Sequence, residues 1–224
     1  MPEIAKKNIN SVHQLPVTKQ NEKHLYNLSK RVIDIIGSLL GIIILGFVLI
    51  IVAILIKLED PKGNIIFSQE RVGKNGRIFR MYKFRSMIVN AEEKLQELLQ
   101  YNEVDGAMFK MKEDPRVTKI GSFIRKTSID ELPQLFNVLK GDMSLVGPRP
   151  PLIREVEEYT MYDKQRLLVT PGCTGLWQIS GRSNLDFAQM VELDLTYIEK
   201  RSLFFDVKII LKTVLVLFGS KDAY

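Results

Sequence analysis

The chain has 224 residues, room for one domain with appendages, and its 32 Lys+Arg against 26 Asp+Glu give a net charge of +6 and a pI near 9.3. That balance favours anionic partners: nucleic acid, a phospholipid surface or phosphorylated small molecules. A single cysteine, Cys173, excludes an internal disulfide, and two histidines, His13 and His24, both near the N-terminus, exclude a His/Cys metal cluster and a Ser-His-Asp or Cys-His arrangement.

Residues 1–24 are polar, aperiodic and broken by Pro2 and Pro16, the pattern of a flexible tail. The apolar run that follows starts too late for a signal peptide and has no small-residue cleavage site after it. Within a helix expected over 25–57, Ile35 to Ile56 contains no charge. Such a run is long enough to reach across a hydrocarbon core of ~30 Å. Both flanks are basic. Residues 1–31 carry six Lys/Arg against two acids, and residues 57–85 carry eight against three. The positive-inside rule therefore places either flank in the cytoplasm. A spanning helix and one that enters and returns to the same face are both open on these grounds. Asp34 is expected near the headgroups beside Lys30 and Arg31, and Gly37, Gly41 and Gly46 either ease a bend or admit close packing.

The region 58–224 reads as a globular domain. Its first part, "NIIFSQERVGKNGRIFRMYKF", alternates on both sides of Gly73-Lys74-Asn75-Gly76 and predicts a β-hairpin. Arg77, Arg80, Lys83 and Arg85 alternate there with Phe79, Met81, Tyr82 and Phe84, which suits a phosphate-rich surface or a merely solvated strand face. Leucine spacing predicts a short amphipathic helix over 91–100. The segment "LFFDVKIILKTVLVLF" (203–218) is too short to span comfortably as a helix, so it lies in the membrane interface or packs inside the domain.

Between these lies "TSIDELPQLFNVLKGDMSLVGPRP", residues 127–150, with adjacent carboxylates at one end and a proline-locked arginine at the other. Ser128-Ile129-Asp130-Glu131 fits a capping box, an ordinary helix start. Pro133, however, prefers the first helical position, which would leave both acids just ahead of the helix. Arg125 precedes the pair and Arg149 is held between Pro148 and Pro150. Arginines that grip phosphate beside carboxylates that hold a hard cation, Mg2+ first among them, describe phosphoryl transfer.

Six stretches carry a family resemblance: "KRVIDIIGSLLG", "FSQERVG", "FRMYKFRSM", "DPRVTKIGSFIRKTSIDELPQLFNVLKGDMSLVGPRP", "PGCTGLWQISGR" and "YIEKRSLFFDVKIILKT". In this order, from Lys30 nearly to the C-terminus, they resemble the bacterial sugar transferases, the monotopic phosphoglycosyl transferases of capsule and exopolysaccharide synthesis. The resemblance implies transfer of a sugar-1-phosphate from a UDP-sugar, glucose or galactose by family frequency, to undecaprenyl phosphate with release of UMP. It makes Asp130 the nucleophile and a metal ligand, and Glu131 its acid/base or Mg2+-orienting partner. Lys83, Arg125 and Arg149 become phosphate-binding residues, while Asp142 is supporting. It also implies a mainly α fold with a small β-hairpin (α+β). A membrane-embedded N-terminal helix, re-entrant rather than spanning, would carry a catalytic domain with interfacial amphipathic helices on the cytoplasmic face of the bacterial plasma membrane. Expected partners are the UDP-sugar, undecaprenyl phosphate, membrane lipids and a possible second copy, with no nucleic acid.

One departure stands out. Many small family members break the membrane helix with Ser-Pro, where this chain has Gly46-Phe47. In "PGCTGLWQISGR" the Trp177 loop either closes over a nucleotide or packs the domain, and Cys173, without a histidine neighbour, reads as a packed residue rather than a nucleophile. Two rival functions remain at this level, a glycosyltransferase releasing UDP and a non-catalytic membrane-anchored subunit of an assembly complex.

Overall fold

A computed structural model describes residues 24–91, 93–98, 111, 114–181 and 185–219. The tail expected over 1–24 lies outside these residues except for His24, which starts the first helix.

Helix α1, His24–Glu59, is continuous over 36 residues, including Gly46-Phe47. The hairpin follows as β1, Ile66–Val72, and β2, Ile78–Phe84, antiparallel with Phe67 opposite Lys83 and Arg71 opposite Phe79. Its turn needs left-handed backbone at Asn75 (φ 56°) and Gly76 (φ 79°), residue types that tolerate it. Then come α2, Leu95–Leu98; α3, Lys119–Lys126; and α4, Gln134–Lys140. Of the helix expected over 91–100, only α2 is helical, and residues 92, 99 and 100 lie outside the described set. A second sheet, not foreseen, pairs β3, Ser144–Val146, in parallel with β4, Gly172–Thr174. Helix α5, Ile153–Glu158, lies between these strands, and α6, Phe187–Lys200, and α7, Leu203–Gly219, complete the mainly helical α+β fold.

Helix α1 is fastened to the domain at both ends. Near its start, Arg31 Nη1 and Nη2 donate to Val138 O and Leu139 O (2.6 and 2.8 Å), covering the last carbonyls of α4. Lys30 and Tyr26 donate to Asp206 Oδ2 of α7, both at 2.9 Å, and Tyr197 OH donates to Asp206 Oδ1 at 2.8 Å. At its far end the Glu59 carboxylate accepts from Lys119 N and Ile120 N (2.8 and 3.1 Å), capping the start of α3. Between these, Val52 and Ile56 are buried against Phe84 and Ile124. Each such side chain is worth ~1.5–3 kcal/mol of apolar burial.

One expectation for this helix needs correction, and one alternative is resolved. Asp34 is not held by an ion pair with Lys30 and Arg31. It is buried and accepts from Ser144 Oγ and Leu145 N, both at 2.9 Å, while its basic neighbours turn to Asp206 and to α4. A backbone N–H and a short side-chain hydroxyl satisfy a buried carboxylate where a flexible lysine would have to be immobilised. The glycines also separate. A Cβ on Gly37 or Gly41 would lie 2.7 or 3.1 Å from Leu145 or Leu135, whereas Gly46 faces open space. The first two are packing positions.

The outward side of α1 is apolar, with Ile43, Ile44, Phe47 and Ile50 exposed, and it is the one described helix long and apolar enough to cross a membrane. Helix α7 is two-sided: Ile209 is fully buried beside Val146 and Tyr197, while Phe204, Leu211 and Leu215 face outward. The basic and aromatic residues of the hairpin do not form one surface. Arg85 is buried on Asp60 (3.0 Å), Lys83 turns to Glu131, and Arg80 is exposed, because successive strand residues point to opposite faces.

Candidate active site

The acid pair sits in a 3-10 turn, Ile129–Glu131, between α3 and α4. Ser128 (φ 55°) reverses the chain after α3, and Pro133 (φ −60°) precedes the first residue of α4. The Ser128 side chain makes no capping hydrogen bond, so the capping box is not formed. The acids stand ahead of the helix, as the proline requires.

The hairpin is set against this turn by Asn137, fully buried in α4. Its Oδ1 accepts from Tyr82 N (2.9 Å) and its Nδ2 donates to Arg80 O (2.7 Å). This clamp places Lys83 Nζ 2.7 Å from Glu131 Oε1. Arg149 arrives from the other side on the Gly147–Pro150 turn. There Gly147 N donates to Thr174 O (2.8 Å) and Gly172 N to Pro148 O (2.9 Å). The backbones approach so closely that a Cβ on Gly172 would lie 2.0 Å from Gly147 N.

Glu131, Lys83 and Arg149 thereby line one cleft of about 160 Å³, together with Arg71, Gln134 and Trp177. Asp130, adjacent in sequence, is not in its lining and is only 8% exposed. Arg125 also stands off the cleft, donating through Nε to Ser86 Oγ (3.0 Å). Asp142 lies apart, 3.9 Å from Arg77. Arg71 was not singled out from the sequence. Its signal was the hairpin register, because it occupies the same strand face as Lys83. It donates to Pro150 O (3.1 Å) and Gln69 Oε1 (2.7 Å), tying β1 to the arginine turn.

The two carboxyls are driven apart electrostatically. Burial pushes Asp130 up to about 6 against the pull of Lys83, with the Glu131 charge adding to the rise. Burial acts in the same direction on Glu131, but the Lys83 ammonium and its hydrogen bond, with Arg149 and Arg71, outweigh it and hold this carboxyl below its ordinary value. Burial, followed by the Arg149 charge, lowers Arg71 to about 10. Burial pushes the Cys173 thiol up, so it is neutral at physiological pH and no activated nucleophile.

No group of three or more His, Cys, Asp or Glu is poised for a metal among the described residues. That inventory still fits Mg2+, which takes one or two carboxylates and completes its octahedron with water and substrate phosphates. Glu131 in the cleft lining and Asp130 beside it in the chain would be the carboxylates to hold it.

A basic cleft lined by Glu131, with Asp130 buried next to it in the chain, on a domain fastened to a long apolar helix, fits an enzyme that handles phosphorylated substrates at a lipid surface. Comparison with known proteins gives the family: residues 25–220 match the bacterial sugar transferase model, and the chain belongs to that family. It is 55% identical over 200 residues to the galactosyl transferase CpsE of Streptococcus agalactiae, covering 88% of this chain and 44% of that one. It is 39% identical over 224 residues to the UDP-glucose:undecaprenyl-phosphate glucose-1-phosphate transferase of Escherichia coli, covering 96% and 46%. With the exopolysaccharide production protein ExoY of Sinorhizobium fredii it shares 40% over 201 residues, 88% of each chain. The chain thus spans less than half the length of the first two and most of the third.

Proposed function

We propose that the protein transfers a sugar-1-phosphate, glucose or galactose phosphate first among candidates, from a UDP-sugar to undecaprenyl phosphate, priming exopolysaccharide or capsule synthesis. The observation that carries this reading is the ion pair of Glu131 with Lys83 in a cleft also lined by Arg149 and Arg71, with Asp130 the residue before Glu131 in the same turn. A diphosphate held by these cations would bring its sugar-bearing phosphorus toward the acid pair.

Asp130 Oδ attacks that phosphorus, the bond to the bridging oxygen breaks, and UMP leaves with that oxygen. The product is a phosphosugar linked to the Asp130 carboxylate. A phosphate oxygen of undecaprenyl phosphate then attacks the same phosphorus, releasing Asp130 as the free carboxylate and forming the lipid diphosphate sugar. Lys83 keeps Glu131 ionised and oriented, and Arg149 neutralises diphosphate charge. Arg125 biases Asp130 toward its carboxylate form from behind the turn. Mg2+, when bound by the acid pair and phosphate oxygens, would screen the charge between nucleophile and diphosphate.

The reading extends to topology. Lys30, Arg31 and Glu59, at opposite ends of α1, all bind the same domain, which favours both ends on one face of the membrane over a spanning course, although the helix is not broken at Gly46-Phe47. The apolar outer sides of α1 and α7 would then rest in the cytoplasmic leaflet of the plasma membrane.

The test is nucleotide release from a panel of UDP-sugars by detergent-solubilised protein with undecaprenyl phosphate and Mg2+. UMP formed by the wild type and not by Asp130→Asn supports phosphosugar transfer. UDP as the product would instead assign the protein to the glycosyltransferases.

A further inference from the structure

The cleft contains two hydrogen-bond donors that the protein leaves without an acceptor. Arg71 and Trp177 both line it, and they are 6% and 8% exposed. Arg71 Nε and Trp177 Nε1 are buried and neither meets an acceptor among the described residues. Neither atom can accept a hydrogen bond, so each needs an acceptor that the described residues do not supply in this arrangement. A buried donor left unmade is costly, and two on one wall describe a wall built for a partner.

The chemistry of that partner follows from the charge around them. Arg71, Lys83 and Arg149 set three cations against the single Glu131 carboxylate in the cleft lining. An acceptor with two negative charges neutralises the remainder, which suits phosphoryl oxygens better than a neutral sugar or amide. The other two Arg71 contacts, to Pro150 O and Gln69 Oε1, fix the guanidinium plane. Its basicity is lowered first by burial and then by the Arg149 charge, and an anion beside it would offset both.

We propose that Arg71 and Trp177 form a phosphoryl-oxygen subsite, with Arg71 Nε–H and Trp177 Nε1–H donating to a substrate phosphate. The inference rests on the reading of the cleft given under Proposed function, and it adds two binding residues from outside the acid pair. The phosphate could belong to the nucleotide donor or to the prenyl phosphate acceptor.

Trp177 supplies its own readout, being the only tryptophan in the chain. Fluorescence of the full chain in detergent is titrated with UDP in one arm and farnesyl phosphate in the other. A saturable change with UDP alone assigns the subsite to the donor, and one with farnesyl phosphate alone assigns it to the acceptor. No change with either overturns the inference. Arg71→Gln should weaken the responding ligand at least about 10-fold, the expected loss of a charge-assisted bond. Trp177→Phe, followed by calorimetry because it removes the fluorophore, should weaken the same ligand several-fold. This variant carries the test if Arg71→Gln does not fold. Unchanged affinity in folded variants also overturns the assignment. The two readings separate cleanly. UMP release without a fluorescence response leaves phosphosugar transfer standing and removes the subsite, whereas a mutation-sensitive response without nucleotide release does the reverse.

Discussion

Lys83 Nζ and Glu131 Oε1 meet at 2.7 Å although 48 residues separate them in the chain, joining the hairpin to the turn that carries the acid pair. Both side chains are partly exposed, so the pair adds only ~0–1 kcal/mol to stability. Its influence is on charge. Lys83 lowers both carboxyls, and its removal would raise Asp130 further above its present value of about 6.

Lys83→Met should therefore reduce kcat/KM by at least about 10-fold, by loss of a cation where phosphate charge is held, with little change in Tm. The pH profile carries the sharper signature. On the proposed mechanism an acidic limb near pH 6 would belong to Asp130, which would attack only when ionised, and Lys83→Met should move that limb to higher pH. A limb that stays fixed in the variant would mean another group sets it.

Asp130 also makes a stability prediction. Its pKa rises from 3.8 to about 6 on folding, so between these values the unfolded chain ionises while the folded protein holds its proton. Stability therefore falls as pH rises through this window and the deficit is complete above about pH 6, on the order of 3 kcal/mol. Asp130→Asn should abolish turnover and raise Tm at neutral pH, an exchange of stability for function. Thermal melts of both proteins at pH 4 and pH 7.5 check this. The gain should shrink at the lower pH.

The network at Asp206 anchors the start of α1. Asp206→Ala would strand the partly buried Lys30 ammonium and leave the Tyr26 hydroxyl only Tyr197, which itself keeps Val146 O, at a cost of ~3–5 kcal/mol. Denaturation in detergent should show that loss, and Asp206→Asn, which keeps an acceptor, should lose less.

Helix α1 allows a direct topological measurement. Cysteines placed at Leu25 and Leu58, both exposed at its two ends, in a Cys173→Ala background, would report which side of a vesicle each faces. The same-face reading expects an impermeant maleimide to label both positions from one side. Labelling from opposite sides would establish a spanning helix.

How much of this was legible in the sequence depended on range. The hairpin followed from its alternation and from Asn75-Gly76, and the position of the acids followed from Pro133, both local rules of backbone geometry. The parallel pairing of β3 and β4 was not legible, because strands of three residues carry no period and the pairing is set by close glycine contact between distant segments. Asp34 misled for a similar reason: Lys30 and Arg31 are near in sequence, but its partners Ser144 and Leu145 lie 110 and 111 residues away. Arg71 was hidden among several basic residues until the register placed it on the face of Lys83.

The central claim is that the Asp130 carboxylate bears the phosphosugar between two displacements. Intact-protein mass measured after incubation with UDP-sugar and Mg2+, without lipid acceptor, tests it most directly. The expected result is one sugar-phosphate added per chain, UMP released in equal amount, the adduct mapped to Asp130, and none in Asp130→Asn. An unmodified wild-type chain under conditions where lipid acceptor supports turnover would contradict it and leave a single direct displacement.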